Sequence, residues 1–250
     1  MTLFFFSATG NSLWVARQFG PSPVNIAAIE GCGAEDEGPL SVEDPEAIGL
    51  VCPVYFGGIP APVSRWLRHT RLTAPYKFAI LTCGNTPGLA VAEVARAGGF
   101  DYVDALKMVD NYFPMFDVED QVKNVGRKRV ESHLAAIVER VGERYRGRRK
   151  PGIYDRIAAL WLRLNPLSPE AYKRFGADAS LCDGCGVCAR LCPERNIVYA
   201  ADRTPRFGPR CITCGACRHN CPKGAIRYRG EKSTYAYHHP EVSLKDLLLR

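Results

Sequence analysis

Cys182, Cys185, Cys188 and Cys192 are spaced by three, three and four residues, and Pro193 follows the last of them. The same figure returns at Cys211, Cys214, Cys217 and Cys221, followed by Pro222. A thiolate at every third residue lets a tight turn bring the chain back to one cube, corner after corner. In runs of this form the fourth cysteine points away and ligates a second cube. The spacing therefore predicts two [4Fe-4S] clusters, one held by Cys182, Cys185, Cys188 and Cys221, the other by Cys211, Cys214, Cys217 and Cys192. The proline stops each local turn from continuing as a helix. Zinc knuckles pair C-x-x-C motifs four ligands to a site and have no use for a third cysteine three residues on. A disulfide framework suits a small secreted domain, and the opening residues Met-Thr-Leu-Phe-Phe-Phe lack a signal peptide's charged start. Plain buried thiols do not come in two matched runs.

A second stretch with chemistry lies at the other end of the chain. Thr2 to Ser7 is short, apolar and aromatic, as a buried strand is, and Leu13 to Phe19 has the pattern of a helix. Between them, Ser7-Ala8-Thr9-Gly10-Asn11-Ser12 makes a strand–loop–helix layout in which loop amides and the helix dipole favour an anion. Ser7, Thr9, Asn11 and Ser12 add side-chain donors, and Gly10 lets the backbone come close. The loop has no Gly-Lys-Ser/Thr, which excludes a triphosphate P-loop, and no G-x-G-x-x-G, which argues against a dinucleotide. Taken alone it could also be a serine-capped turn.

The elements that would position this loop alternate strand and helix. Further strands are expected at Val24 to Ala28, Ile48 to Pro53, Phe78 to Thr82 and Val103 to Val109. Helices are expected at Pro62 to His69, Leu89 to Ala97 and Lys128 to Tyr145, and Glu30 to Glu46 reads as loop. This pattern predicts an α/β fold with a doubly wound, five-stranded parallel sheet. Glycine-bearing loops then meet at the carboxyl edge, at Ser7 to Ser12, at Pro53 with Tyr55, Phe56, Gly57 and Gly58, and at Cys83, Gly84, Asn85 and Gly88. That convergence makes the edge a candidate cofactor site. Cys52 and Cys83 read as buried small side chains, Gly31-Cys32-Gly33 receives no role, and His238-His239 reads as surface.

The loop Ser7 to Ser12 resembles the FMN-phosphate loop of flavodoxins, and the two cysteine runs resemble a bacterial two-[4Fe-4S] ferredoxin. Together the chain is similar to flavodoxin–ferredoxin fusions, over nearly its whole length except Pro151 to Ala177. Arg146 to Lys150 with Pro151-Gly152 reads as the domain boundary, which gives a flavodoxin-like domain over 1–150, a linker with an amphipathic helix over 151–177, and a small α+β ferredoxin-like domain over 178–250. The resemblance implies FMN as the N-terminal cofactor and electron transfer as the activity. Flavodoxins stack aromatics on the flavin from the loops after the third and fourth strands. Tyr55 matches the first of these, with Phe56 a second candidate, whereas Cys83 to Gly88 carries no aromatic. One flavin face is thereby left to the ferredoxin domain or to Tyr112.

The net charge is +7, with ten Lys or Arg against three Glu between Lys123 and Lys150. A basic balance invites an acidic redox partner, and nucleic acid has only charge in its favour. No apolar run approaches the roughly eighteen residues that cross a bilayer. Ile153, Ile157, Leu160, Trp161 and Leu164 form one helical stripe, expected to pack between the domains. A membrane-surface anchor beside the basic run is the alternative. Reduced cysteines without an export signal suggest the cytoplasm, and oxygen-labile clusters suit an anaerobic cell. Two functions stay open: an electron carrier joining a one-electron partner to a flavin, and an FMN-dependent oxidoreductase of a quinone or flavin fed through the clusters.

Overall fold

The computed structural model describes residues 1–29, 40–201 and 203–249. Gly31-Cys32-Gly33 lies outside the described residues. Two compact units make up the chain, and neither is contiguous. The first takes Met1–Ser7, Asn11–Met108 and Val125–Asn165, and the second takes Ala8–Gly10, Val109–Asn124 and Pro166–Arg250. Where the sequence suggests one boundary after Lys150 and a linker to 177, the helix at Ile153–Leu164 groups with the first unit. Two short pieces of the N-terminal half group with the second.

In the first unit the strands are β1 (Thr2–Phe5), β2 (Val24–Asn25), β3 (Leu40–Glu43), β4 (Ile48–Pro53), β5 (Thr70–Thr73), β6 (Lys77–Cys83), β7 (Tyr102–Lys107) and β8 (Gly147–Arg148). Six of them form one parallel sheet in the order β2-β1-β4-β6-β7-β8. Five parallel strands are expected from the pattern. The sixth, β8, is two residues of the basic run, paired with Tyr102 and Val103. β3 lies in a stretch expected to be loop and pairs in parallel with β5, with Val42 opposite Leu72 and Leu40 opposite Thr70.

The central strand β4 is buried from Ile48 to Cys52, as a strand covered on both faces must be. Helix Ala61–His69 turns Val63, Trp66 and Leu67 inward, and the Trp66 ring packs 4.7 Å from Phe4. Successive connections leave β1 toward β2 on one side and then return to β4 on the other. The reversal at β1 and β4 is the switch point of a doubly wound sheet, where the carboxyl ends open a crevice.

The second unit is built on two small antiparallel pairs, β9 (Phe175–Ala177) with β12 (Ile226–Tyr228), and β10 (Ile197–Tyr199) with β11 (Pro205–Phe207). Phe113 explains why Val109–Asn124 belongs here. Its buried ring meets His219 at 5.3 Å, Tyr228 at 5.4 Å and Phe175 at 6.1 Å, all edge-on. The Arg218 guanidinium lies 4.6 Å from the same ring and pairs with buried Glu231 at 2.7 Å. It also donates to the carbonyls of Ser233 and Tyr235, so one buried cation holds the start of the C-terminal tail. The tail, polar by composition, buries Tyr237, His239, Val242 and Leu247. His239 is therefore not a surface residue, and burial lowers its pKa to about 4.

Gly49 shows how closely the sheet is packed. A Cβ there would lie 2.5 Å from both Leu3 and Phe78, its direct neighbours on β1 and β6. Gly49→Ala is expected to lose about 1–3 kcal/mol through overpacking. Thermal unfolding would read this as a lowered midpoint, and an unchanged midpoint would show that the side chains yield.

Candidate functional site

The two cysteine runs fold as copies offset by twenty-nine residues, 182 to 211 and 192 to 221. Left-handed backbone recurs at equivalent positions: Gly184 and Thr213, Gly186 and Gly215, Arg195 and Gly224. Each copy places a short helix after its second cysteine, Val187–Leu191 and Ala216–His219. Each also closes a turn after its Cys-Pro pair, Arg195 N–H to the Cys192 carbonyl at 2.9 Å and Gly224 N–H to that of Cys221 at 3.0 Å. The reversals inside each run bring its first three cysteines to one cavity.

The copies interleave. One cavity, about 300 Å³, is lined by Cys182, Cys185, Cys188 and Cys221. The other, about 360 Å³, is lined by Cys211, Cys214, Cys217 and Cys192. Four soft sulfur donors around each of two similar volumes fit two copies of one iron–sulfur group. Among the described residues no three His, Cys, Asp or Glu converge as ligands of a single ion would. Burial pushes the thiols of Cys188, Cys192, Cys211, Cys214 and Cys217 above their ordinary range, with neighbouring cysteines adding to the effect for all but Cys192. Ligation must displace those protons, so iron binding and deprotonation are coupled.

Several donors reach the sulfurs. Asn196 N–H lies 3.3 Å from Cys192 Sγ and Thr213 N–H 3.4 Å from Cys211 Sγ. The Tyr199 hydroxyl sits 3.1 Å from Cys188 Sγ. Sequence spacing gives no sign of Tyr199. It comes within reach because the β10–β11 hairpin folds back, and an aromatic hydroxyl on the strand after a Cys-Pro turn is the signal that could have marked it. The cavities differ in depth: Cys185 is exposed, whereas Cys217 is buried.

The loop at the other end of the chain is backed by the second unit's own residues. Asn220 Nδ2 donates to the Ala8 carbonyl at 2.9 Å, and His239 N–H to the Thr9 carbonyl at 2.8 Å. In planar trans peptides the N–H points opposite to the preceding carbonyl. The amides of Thr9 and Gly10 are thus turned to the side away from those donors, as an anion cradle needs. Gly10 has φ +98°, and a Cβ on it would meet His239 Cβ at 2.9 Å, so the close backing requires glycine. The Asn220 orientation is fixed by a second bond to Ala216 and by the His238 ring, whose other nitrogen reaches the Val242 carbonyl. Thr9 Oγ1 accepts from Asn111 Nδ2 at 2.6 Å.

At the first unit's carboxyl edge, Ser12 Oγ and Thr82 Oγ1 lie 2.8 Å apart. After β4, Tyr55 and Gly58 exchange backbone hydrogen bonds at 2.9 and 3.0 Å around a turn with Phe56 at φ +51° and Gly57 at φ +75°. Left-handed backbone costs a non-glycine residue about 1–2 kcal/mol, and here it holds the Phe56 ring exposed at the edge. Gly88 meets Gly57 so closely that a Cβ would lie 2.9 Å from its backbone, so the loops after β4 and β6 support each other. Cys52 and Cys83 are buried, and burial raises the Cys52 thiol. Tyr112, the other aromatic considered for a flavin face, belongs to the second unit, where burial raises its phenol to about 12.

The paired cavities and doubled fold define an iron–sulfur domain, and the comparison with known families agrees. Residues 177–226 match the 4Fe-4S dicluster domain. No curated protein matches the chain. This part of the chain is thus of the iron–sulfur electron-transfer type. Among the described residues no helix is long and apolar enough to cross a membrane.

Removing the Tyr199 hydroxyl is expected to lower the potential of the cluster at Cys188. A donor to sulfur favours the more negative reduced state, so Tyr199→Phe should lower the potential by about 40 mV, the one-electron equivalent of a hydrogen bond of about 1 kcal/mol. Potentiometric titration followed by electron paramagnetic resonance checks this, and an unmoved potential would show that the contact is structural only.

Proposed function

We propose that this protein is an electron carrier whose two [4Fe-4S] clusters are held crosswise. Cys182, Cys185, Cys188 and Cys221 hold one, and Cys211, Cys214, Cys217 and Cys192 the other. The carrying observation is that each cavity takes three cysteines from one run and the fourth from the other. A [4Fe-4S] cluster exchanges one electron at a time. The chain's part is to set the two potentials and to bring one cluster near the surface. Tyr199 and the amides of Asn196 and Thr213 supply donors to sulfur. Exposed Cys185 supports this face as the point of exchange, with Lys223 and Asp183 paired at 3.7 Å beside the same cavity, and the net charge of +7 supports an acidic partner.

FMN is the ligand we propose for the loop Ser7 to Ser12. Its phosphate would lie against the amides turned away from Asn220 and His239, with Ser7, Thr9, Asn11 and Ser12 around it. The backing of Ala8 and Thr9 supports this reading. Phe56 and Tyr55 are the aromatics at the sheet's carboxyl edge for the flavin ring. With both groups present the chain would join two-electron to one-electron chemistry.

Anaerobic titration with dithionite tests the proposal. Uptake of about two electrons per chain by the clusters and about two more by a flavin is expected. Asn220→Ala should weaken FMN binding several-fold while leaving the iron content intact. Full cluster reduction with no flavin taken up, even after FMN is added, would remove the flavin from the account and leave a two-cluster carrier.

A further inference from the structure

Helix Ile153–Leu164 is mounted inside out. Its inner side carries Asp155, Ala158, Ala159 and Leu162, and its large apolar residues stand outside. Asp155 is buried and pinned by Arg149 at 2.8 Å, by the Gly152 N–H at 2.8 Å and by the Thr86 hydroxyl. Leu162 lies against Gly57, where a Cβ would stand 3.0 Å away. These contacts leave Ile153, Tyr154, Ile157, Leu160, Trp161 and Leu164 between 49% and 81% exposed. Within the first unit this stripe faces outward. A soluble helix normally buries its large apolar residues and exposes its small or charged ones.

Charge around the stripe is mainly of one sign. Residues 144–164 hold seven Lys or Arg and a single acid, Asp155, which is turned inward; Arg149 pairs with it and Arg146 with Asp101, which leaves five cations beside the exposed Glu143. Arg156 and Arg163, one heptad apart, flank the outer stripe on one side and are exposed. Their stems can lie along apolar surface while the guanidinium groups reach outward. An exposed face of Trp, Tyr, Ile and Leu edged by arginine, on a helix too short to span, is the pattern of a segment lying in a lipid interface.

We propose that helix Ile153–Leu164 docks the protein on an anionic lipid surface. The apolar stripe enters the acyl boundary, and Arg156, Arg163 and the exposed Arg144, Arg148 and Lys150 before the helix meet the phosphates. The excess of cationic charge beside a wide apolar face selects this occupant over a second copy of this chain, whose identical basic run would face the first.

The test is co-sedimentation of the full, cluster-loaded protein with two kinds of vesicle, phosphatidylcholine alone and phosphatidylcholine mixed with phosphatidylglycerol. Binding to the anionic vesicles, with a blue shift of tryptophan emission, is expected, and weak binding to the neutral ones. Arg156→Glu with Arg163→Glu should lower the partition coefficient about ten-fold or more, since each cation near an anionic surface contributes about 1 kcal/mol. Ile157→Ser, Leu160→Ser and Trp161→Ser together should abolish binding. All three side chains are exposed, and an unchanged cluster absorbance and unfolding midpoint confirms the fold. No binding to anionic vesicles, or equal binding to both kinds, would overturn the proposal. So would sedimentation equilibrium showing a dimer that the three serines dissociate.

Discussion

Each cysteine run completes the other's cavity, and much of the second unit follows from that exchange. Cys192 must leave its own run to line the cavity of Cys211, Cys214 and Cys217, and Cys221 must do the reverse. Neither half can form its site alone. The exchange needs a reversal inside each run, supplied by left-handed backbone at matching positions, and a stop after each fourth cysteine, supplied by proline. The short pairs β9–β12 and β10–β11 then close over the cavities with Phe175, Ile197, Phe207 and Ile226. Where one copy has glycine and the other does not, as at Gly184 and Thr213, the fold still imposes the same conformation. Chain geometry around sulfur outranks local preference there.

From this centre the structure reaches back to the start of the chain. Asn220, beside Cys221, holds the Ala8 carbonyl, and the tail fixed by Arg218 and Glu231 brings His239 to Thr9. His219 lies buried between these contacts. Its Nε2–H donates to the Asn111 carbonyl at 2.9 Å while Nδ1 accepts from Tyr237 N–H, and burial takes its pKa to about 3. A neutral ring with both nitrogens engaged is a structural part, which is why its position next to a cysteine run does not make it a ligand.

Much of this was legible from residue types. The cysteine spacing pointed to the iron–sulfur domain, because ligand spacing is a local property of the chain. The parallel sheet followed from continuous apolar runs between glycine loops. Other features depend on contacts that no periodicity encodes. Tyr199 meets Cys188 only after a hairpin folds, and β8 forms from two residues of a basic run because β7 offers an open edge. The tail reads as polar, yet it buries Tyr237, His239, Val242 and Leu247, and its start is held at Glu231 and Tyr235 by Arg218, thirteen and seventeen residues upstream of them. The stripe of Ile153–Leu164 was visible as amphipathic. Its orientation was not, since that is decided by one inward carboxylate, Asp155, and its partners Thr86 and Arg149.

The account stands or falls on the two crossed clusters. The most direct measurement is iron and acid-labile sulfide per chain after purification without oxygen. The account predicts about eight of each. One or two zinc ions per chain with no labile sulfide would contradict it, and would make the cavities metal knuckles instead of redox sites.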